Sequence, residues 1–531
     1  MRHLCYSMIL LSLILMFAGA CGSDAMEELE AIVPDETHAI TENIPVHHVS
    51  EYVATPFELT MGYAIERANA RRNTYAYGEI NKDMLWASIY GQEPWSVDIV
   101  SLAYGERVSS ITKEEAIYDA NTLFDVIRHV YGGYNYFGGD EVFQPLFDEI
   151  LEIISEREQW NTAPFMQMLI DNLSTVIQDN HVQIGSSTLQ APYSTLGVNY
   201  DVYIWGVPFE RSENGFRKQG TDIYIVDMLG HDMQEVFRLS MDEEGDLFYA
   251  PVIMRQSARY GTSHIIYHLD VVWSTGEEET VSLRRSRPYP APGYGGETTL
   301  HYENGIPVVT HRTVFGHLFS PYAKGHEHAI TFMSLVEYLH GEPVIIVDIR
   351  SNPGGHLLLS RMWLSKLLGE IVPNNAAILG VSWSEEMQFS ESWHYLFPPI
   401  DERYEEVIAR YHPFEYLGDF HGITSFPNTT IANDIKIILL VDRQTASAGD
   451  FFADQMLNLE NTLVIGQNTA GVLLTSSFVP LYLPYSGIDF IFGPSRFAFH
   501  GYDWREGVGI APDIWVTGDA LTATLAMLEN R

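Results

Sequence analysis

The chain has 531 residues, 46% hydrophobic and 19% charged, enough for about three domains with sizeable cores and too apolar for wholesale disorder. With 30 Lys and Arg against 70 Asp and Glu, the net charge is −40, so no positive field awaits phosphate and nucleic acid is not expected as a partner. Two cysteines exclude a disulfide scaffold, and the composition excludes collagen and coiled-coil rods.

Met1–Ala20 has a basic start (Arg2, His3), an apolar run from Met8 to Phe17 and then small residues, the pattern of a secretory signal peptide. Ala18-Gly19-Ala20-Cys21-Gly22-Ser23 is similar to a bacterial lipobox, with Ala18 where a leucine is usual. That resemblance implies cleavage before Cys21 and a lipid on Cys21; an ordinary signal peptide with an incidental cysteine is the alternative. Residues 21–50, rich in Glu and Asp, read as an acidic tether. If Cys5 leaves with the signal and Cys21 is lipidated, no thiol remains for a disulfide, a nucleophile or zinc. No later stretch approaches the ~18 apolar residues of a membrane span.

Residues 51–190 carry a helical period. Ile117, Ala120, Phe124, Ile127 and Tyr131 recur every three or four positions behind a Thr112/Glu115 capping box. The pattern returns after Pro145 (Leu146, Ile150, Leu151, Ile154) and after Pro164 (Phe165, Leu169, Leu173), where proline suits a first helical turn. Residues 191–310 turn to short alternating strands such as Asp222–Val226 and Ile265–Trp273, with punctuation at Arg287–Gly296. From 311 to 531, apolar runs at Pro343–Asp348 and Ile435–Val441 read as buried parallel strands, each followed by a turn and a helical pattern. The fold class expected is α+β and multidomain: a helical N-terminal domain, a β-rich middle domain and an α/β domain.

Two strand-to-turn junctions carry the candidate chemistry. In Asp348-Ile-Arg-Ser-Asn-Pro-Gly-Gly355, glycines free backbone N–H groups to face outward, as an oxyanion hole requires, although such a corner alone also reads as a tight turn. In Asp442-Arg-Gln-Thr-Ala-Ser447-Ala-Gly-Asp450, Ser447 falls where strand becomes helix, beside the N–H of Ala448 at the positive end of the helix dipole. Taken alone, that serine reads as an N-cap before it reads as a nucleophile, since caps are far commoner.

Together these segments resemble the serine peptidases of the tail-specific (C-terminal processing) and tricorn core family. Its Asp-Xaa-Arg-Xaa-Asn-Xaa-Gly-Gly step is similar to Asp348–Gly355, and its Thr-Ala-Ser-Ala step to Thr445–Ala448. Val464–Gly471 resembles its Ile-Gly-Xaa-Xaa-Thr-Xaa-Gly turn, Glu506–Asp513 its closing segment, and Gln178–Val182 the step ending its helical domain. The resemblance implies a ClpP/crotonase-like α/β catalytic domain and Ser447 as nucleophile. The lysine base of one branch falls on Val472, which cannot take a proton. The tricorn-like branch places a histidine and a glutamate at His181 and Glu506, with Asn180 where the tricorn core has serine. The expected site is therefore Ser447, His181 as general base and Glu506 as polar support, with Gly355 or Gly354 and Ala448 as the oxyanion hole. His356, beside the corner, is a competing base.

The expected activity is endopeptidase cleavage of extended peptides or unfolded protein termini by acyl-enzyme chemistry, with no cofactor or metal. The expected setting is a cell envelope, with membrane contact through the lipid alone. Loss of the lysine suggests an alternative, an inactive peptide-binding lipoprotein of the same fold. A third reading, glycoside hydrolysis from paired acids and aromatics, has no local motif behind it. In many relatives a PDZ domain precedes the catalytic part. Residues 191–310 show no Gly-Leu-Xaa-Xaa-Gly-Asp step, which leaves a small sandwich or a divergent PDZ-like module.

Overall fold

The computed structural model describes residues 102, 105–185, 199–257, 265–286, 298–315, 325–355, 357–369, 372, 376–381, 434–475, 480–493, 495–499 and 506–529. The signal segment, Cys21, the tether and His356 lie outside them. Among the described residues, no helix is long and apolar enough to cross a membrane.

The helical part starts with β1 (Ser110–Thr112), then α1 (Lys113–Val130), α2 (Asp140–Ser155), β2 (Gln159–Asn161) and α3 (Thr162–Leu173). Thr112 and Glu115 form the reciprocal capping box of α1. Pro164 sits in the first turn of α3, as expected. Pro145 instead lies inside α2, which begins five residues before it at Asp140. The helix tolerates the missing N–H because one apolar face (Phe143, Leu146, Phe147, Ile150, Ile154) is buried. The core of this part is shared: Leu481, Leu483, Ile488, Phe490 and Phe492 from the C-terminal part pack into it. β3 (Gln183–Ile184) also pairs antiparallel with β19 (Asp489–Ile491), whose other neighbour is β18 (Leu481–Tyr482).

The middle part is a closed circuit of antiparallel strands: β4 (Tyr200–Ile204), β5 (Phe209–Ser212), β6 (Gly215–Lys218), β7 (Tyr224–Met228), β9 (Leu247–Gln256), β10 (Ile266–Trp273) and β11 (Glu278–Arg285). Pairing of Phe209 with Tyr249 closes it. Phe209, Phe216, Ile225, Phe237, Val271, Trp273 and Leu283 fill the interior. One turn of helix, α4 (Met233–Val236), leads into β8 (Phe237–Met241), which pairs with the first half of β9 and, in parallel, with β21 (Ile514–Val516) of the catalytic sheet. Barrel and catalytic sheet are thus one hydrogen-bonded surface of 14 strands.

That sheet continues through β17 (Thr462–Gly466), β16 (Lys436–Val441), β14 (Val344–Asp348), β13 (Ile306–Thr310) and β12 (Thr299–Glu303). The β12–β13 hairpin, placed by sequence in the middle segment, therefore belongs to the catalytic sheet. The pairs β13–β14, β14–β16, β16–β17 and β17–β21 are parallel, while β15 (Ala376–Val381) and β20 (Ser495–Phe499) form a separate antiparallel pair. Side chains alternate between two cores. Ile345, Val347, Ile437, Leu439 and Val441 face one layer, while Val344, Ile346, Ile438 and Leu440 face the other. Helices α5 (His326–Leu335), α6 (Leu357–Leu368) and α7 (Ala448–Met456) cover the first, and α8 (Ala520–Glu529) covers the second. Burial on both faces is why β14 and β16 read as continuous apolar runs. Because β14 and β16 are adjacent and parallel, the turns at their carboxyl ends stand side by side, where open α/β sheets place their ligands.

Candidate active site

The second turn forms around one buried carboxylate. Asp442 accepts from the N–H groups of Gln444 (2.9 Å) and Thr445 (3.0 Å) and, across the gap, from Ser351 N–H (2.9 Å) on the first turn. Thr445 Oγ1 donates to Ile349 O (3.1 Å) and Ala446 N–H to Asn352 O (2.9 Å), so the two turns are laced together. Within this lattice Ser447 adopts φ 51°, ψ −115°, strain that costs about 1–3 kcal/mol for a residue with a side chain. Ser447 occupies the N-cap of α7 but makes no capping bond. Its hydroxyl points elsewhere: Oγ lies 3.0 Å from His181 Nε2, across 266 residues of sequence.

His181 reaches that point because Val182 and the pairing of β3 with β19 lock the segment ending the helical part onto the catalytic part. Its backbone N–H donates to Asp179 Oδ1 (2.9 Å). Asp179 Oδ2 accepts from Tyr131 Oη (2.9 Å) and Thr475 Oγ1 (2.7 Å). Burial lowers the His181 pKa from its ordinary value, while the charge of Asp179 and the backbone of Thr475 oppose that shift. Nδ1 meets no hydrogen-bond partner among the described residues.

Glu506 grips backbone on both sides of the dyad. Oε1 accepts from Asn180 N–H (2.9 Å), and Oε2 from Leu473 N–H (3.1 Å) and Leu474 N–H (3.0 Å). It does not hydrogen-bond the imidazole, so any support it lends His181 passes through Asn180. Burial raises its pKa well above the carboxylate range, reinforced by the charges of Asp179 and Asp450 and opposed by those N–H groups. Asn180 Nδ2 donates to Gly471 O (3.3 Å), fastening the histidine segment to the turn after β17. At Val472, half-buried, the N–H donates to Asp450 Oδ2 (3.1 Å) and Gly471 N–H to Oδ1 (2.9 Å). Burial pushes Asp450 up to about 6 despite these donors.

The oxyanion candidates separate. Gly354 N–H donates to Asn352 Oδ1 (2.8 Å) inside its own turn, so it is not available to a substrate oxygen. Its contribution is steric: a Cβ at Gly354 (φ 96°) would lie 2.6 Å from Ser447 Cβ and 2.8 Å from Ala448 N. The N–H groups of Gly355 and Ala448 donate to no other described residue. Four residues that frame the site carry no role in the sequence reading: Asp179, Asp442, Asp450 and Arg443. Arg443 donates to the carbonyls of Thr469, Gly507 (2.9 Å) and Val508 (3.0 Å), holding the segment after Glu506. All four lie within or beside the quoted motifs, which was the available signal.

Residues 325–516 match the model of peptidase family S41. No curated protein sequence matches the chain. Among solved structures, mature CPAF is similar at a TM-score of 0.39 and 14% identity, over 78% of this chain and 94% of that one. The photosystem II D1 C-terminal processing protease is similar at 0.35 and 14%, over 76% and 93%. A lipoprotein from Streptococcus agalactiae is similar at 0.35 and 12%, over 81% and 99%. The family match, over residues 325–516 of 531, spans both active-site turns and Glu506, and this part of the chain is similar to the serine-type peptidases of family S41.

Proposed function

We propose that Ser447 is the nucleophile and His181 its general base, in an exported, lipid-anchored endopeptidase acting on extended peptides or unfolded protein ends. The observation that supports this reading is the 3.0 Å contact between His181 Nε2 and Ser447 Oγ. In acylation, Nε2 takes the hydroxyl proton as Oγ attacks the scissile carbonyl carbon. The N–H groups of Gly355 and Ala448, the latter at the start of α7, receive the oxyanion. The imidazolium then protonates the leaving amine, and a water activated by the same Nε2 releases the acyl group. Asp179 and Glu506 keep the histidine segment in place.

Replacing Ser447 with Ala removes fluorophosphonate labelling and cleavage of a denatured protein. Full activity in that variant would sink the assignment. The same contact weighs against the inactive-binder reading suggested by Val472, because the base is supplied from the helical part.

The lipid anchor rests on Met1–Ala20 and the Cys21 step. Metabolic labelling with an alkyne fatty acid marks the wild-type chain and is absent from Cys21→Ala; equal labelling of both would remove the anchor.

A further inference from the structure

The imidazole that faces Ser447 has its carboxylate behind the backbone instead of on the ring. Asp179 is fully buried and divides its two oxygens. One holds the main-chain N–H of His181 at 2.9 Å; the other holds the hydroxyl of Thr475 at 2.7 Å and that of Tyr131 at 2.9 Å. The residue whose side chain this carboxylate anchors, Thr475, is also the one whose backbone acts on the imidazole. Glu506 is committed to three backbone N–H groups and leaves the ring alone.

We infer that Asp179 is the positioning residue for the general base: it fixes His181 and Thr475 on one carboxylate, turns Nε2 toward Ser447, and stabilises the imidazolium formed during attack. This rests on the Ser447–His181 reading above. A general base works only when one nitrogen is free to accept and the other carries the proton. Among the described residues no side-chain acceptor stands on Nδ1 to set that tautomer. The Thr475 backbone within reach of the imidazole, braced by the Asp179 carboxylate behind it, supplies both needs. Tyr131 couples the same carboxylate to the end of α1, so the helical part contributes the base and its brace alike. The charges facing Asp179 from packed elements are Glu506 and His181; both Tyr131 and Thr475 are neutral donors.

Asp179→Asn keeps the shape and one acceptor but removes the charge. The expected result is a loss of kcat of about tenfold or more, a part of the 10²–10⁴-fold that a placed base supplies, with KM little changed. The acid limb of kcat/KM moves to lower pH, because a charge that favoured the imidazolium is gone. A merely structural role would lower the melting temperature and leave that limb in place, and an unmoved limb with unchanged kcat in a folded variant overturns the inference. Should Asp179→Asn fail to fold, Thr475→Val decides: kcat falls with KM unchanged if the brace operates, and unchanged kcat overturns it. Fluorophosphonate labelling of Ser447 in both variants, slowed but present, separates this inference from the dyad itself. If Ser447→Ala stays labelled and active, the dyad reading is what has failed.

Discussion

Gly354 and Ser447 meet closer than any side chain at position 354 would permit. A Cβ there would fall 2.6 Å from Ser447 Cβ, 2.6 Å from Ala446 O and 2.8 Å from Ala448 N, on a backbone with φ 96°. Two of the three contacts are main chain and cannot swing away. Gly354→Ala therefore pushes the β14 turn off the α7 turn, separating Gly355 N–H from the nucleophile. The expected outcome is a loss of kcat/KM of about 10²-fold or more, comparable to removal of an oxyanion donor, measured on a chromogenic peptide. Activity within a factor of about three of wild type would show that the turns are looser than this geometry allows.

The first turn depends on a buried ion cluster. Burial alone would raise the pKa of Asp348; the hydrogen bonds and charge of Arg350, joined by Arg312, overcome this and lower it. Arg350 also donates to Asp519 (2.7 Å), which caps α8 through Thr522 N–H (2.8 Å). Asp348→Asn would leave a guanidinium that is 5% exposed with Asp519 as its one remaining carboxylate among the described residues, and would leave Arg312 without its Asp348 partner. Breaking such a pair from one side costs about 3–5 kcal/mol. A denaturant titration should report a loss of that order, with the slope unchanged; a loss below about 1 kcal/mol would contradict it.

Much of the site was legible because it sits in short motifs at strand ends. Ser447, the Pro-Gly-Gly corner and the two apolar strands were marked by local pattern, and His181 and Glu506 by family resemblance alone. What was not legible was non-local. The sharing of a core between α1–α3 and residues 481–492 leaves no periodic trace, because each set looks apolar for its own local reasons. The barrel closure through Phe209 and Tyr249 depends on β9 pairing with β8 along its first half and with β4 along its second, which alternation in sequence does not reveal. Gly354 was misjudged as a donor since a motif shows that an N–H exists but not that Asn352 takes it.

Arg443 offers a test of how the closing segment is held. Its planar fork reaches three carbonyls, of Thr469, Gly507 and Val508, on two separate stretches of chain. An ammonium cannot span them in that geometry, so Arg443→Lys preserves charge and loses the clamp. We expect Glu506 to lose its fixed position, with kcat down about tenfold and stability lower by about 1–3 kcal/mol from unpaired carbonyls. Wild-type kcat in the lysine variant would mean that charge, and not the fork, secures the segment.

The pH dependence follows from burial of both acid and base. The peptidase reaction needs neutral imidazole, and burial lowers the His181 pKa against the weaker opposition of Asp179 and the Thr475 backbone. Activity should therefore persist on the acid side of the ordinary histidine value of 6.5, with the lower limb of kcat/KM below it. A limb at or above about pH 7 would contradict the assignment of His181 as base. Stability has a second sign. His181, with its folded pKa depressed, contributes stability that is present above 6.5 and lost as pH falls through its lower folded value. Asp450, raised from 3.8 to about 6, and Glu506, raised from 4.5, contribute stability that is present at low pH and lost as pH rises through their folded values. Two carboxyls oppose one imidazole. The melting temperature of the inactive Ser447→Ala protein should accordingly rise from about pH 7.5 to about pH 6, and Asp450→Asn should flatten that rise. A monotonic fall in melting temperature over the same interval would show that protonation of His181 outweighs both buried acids.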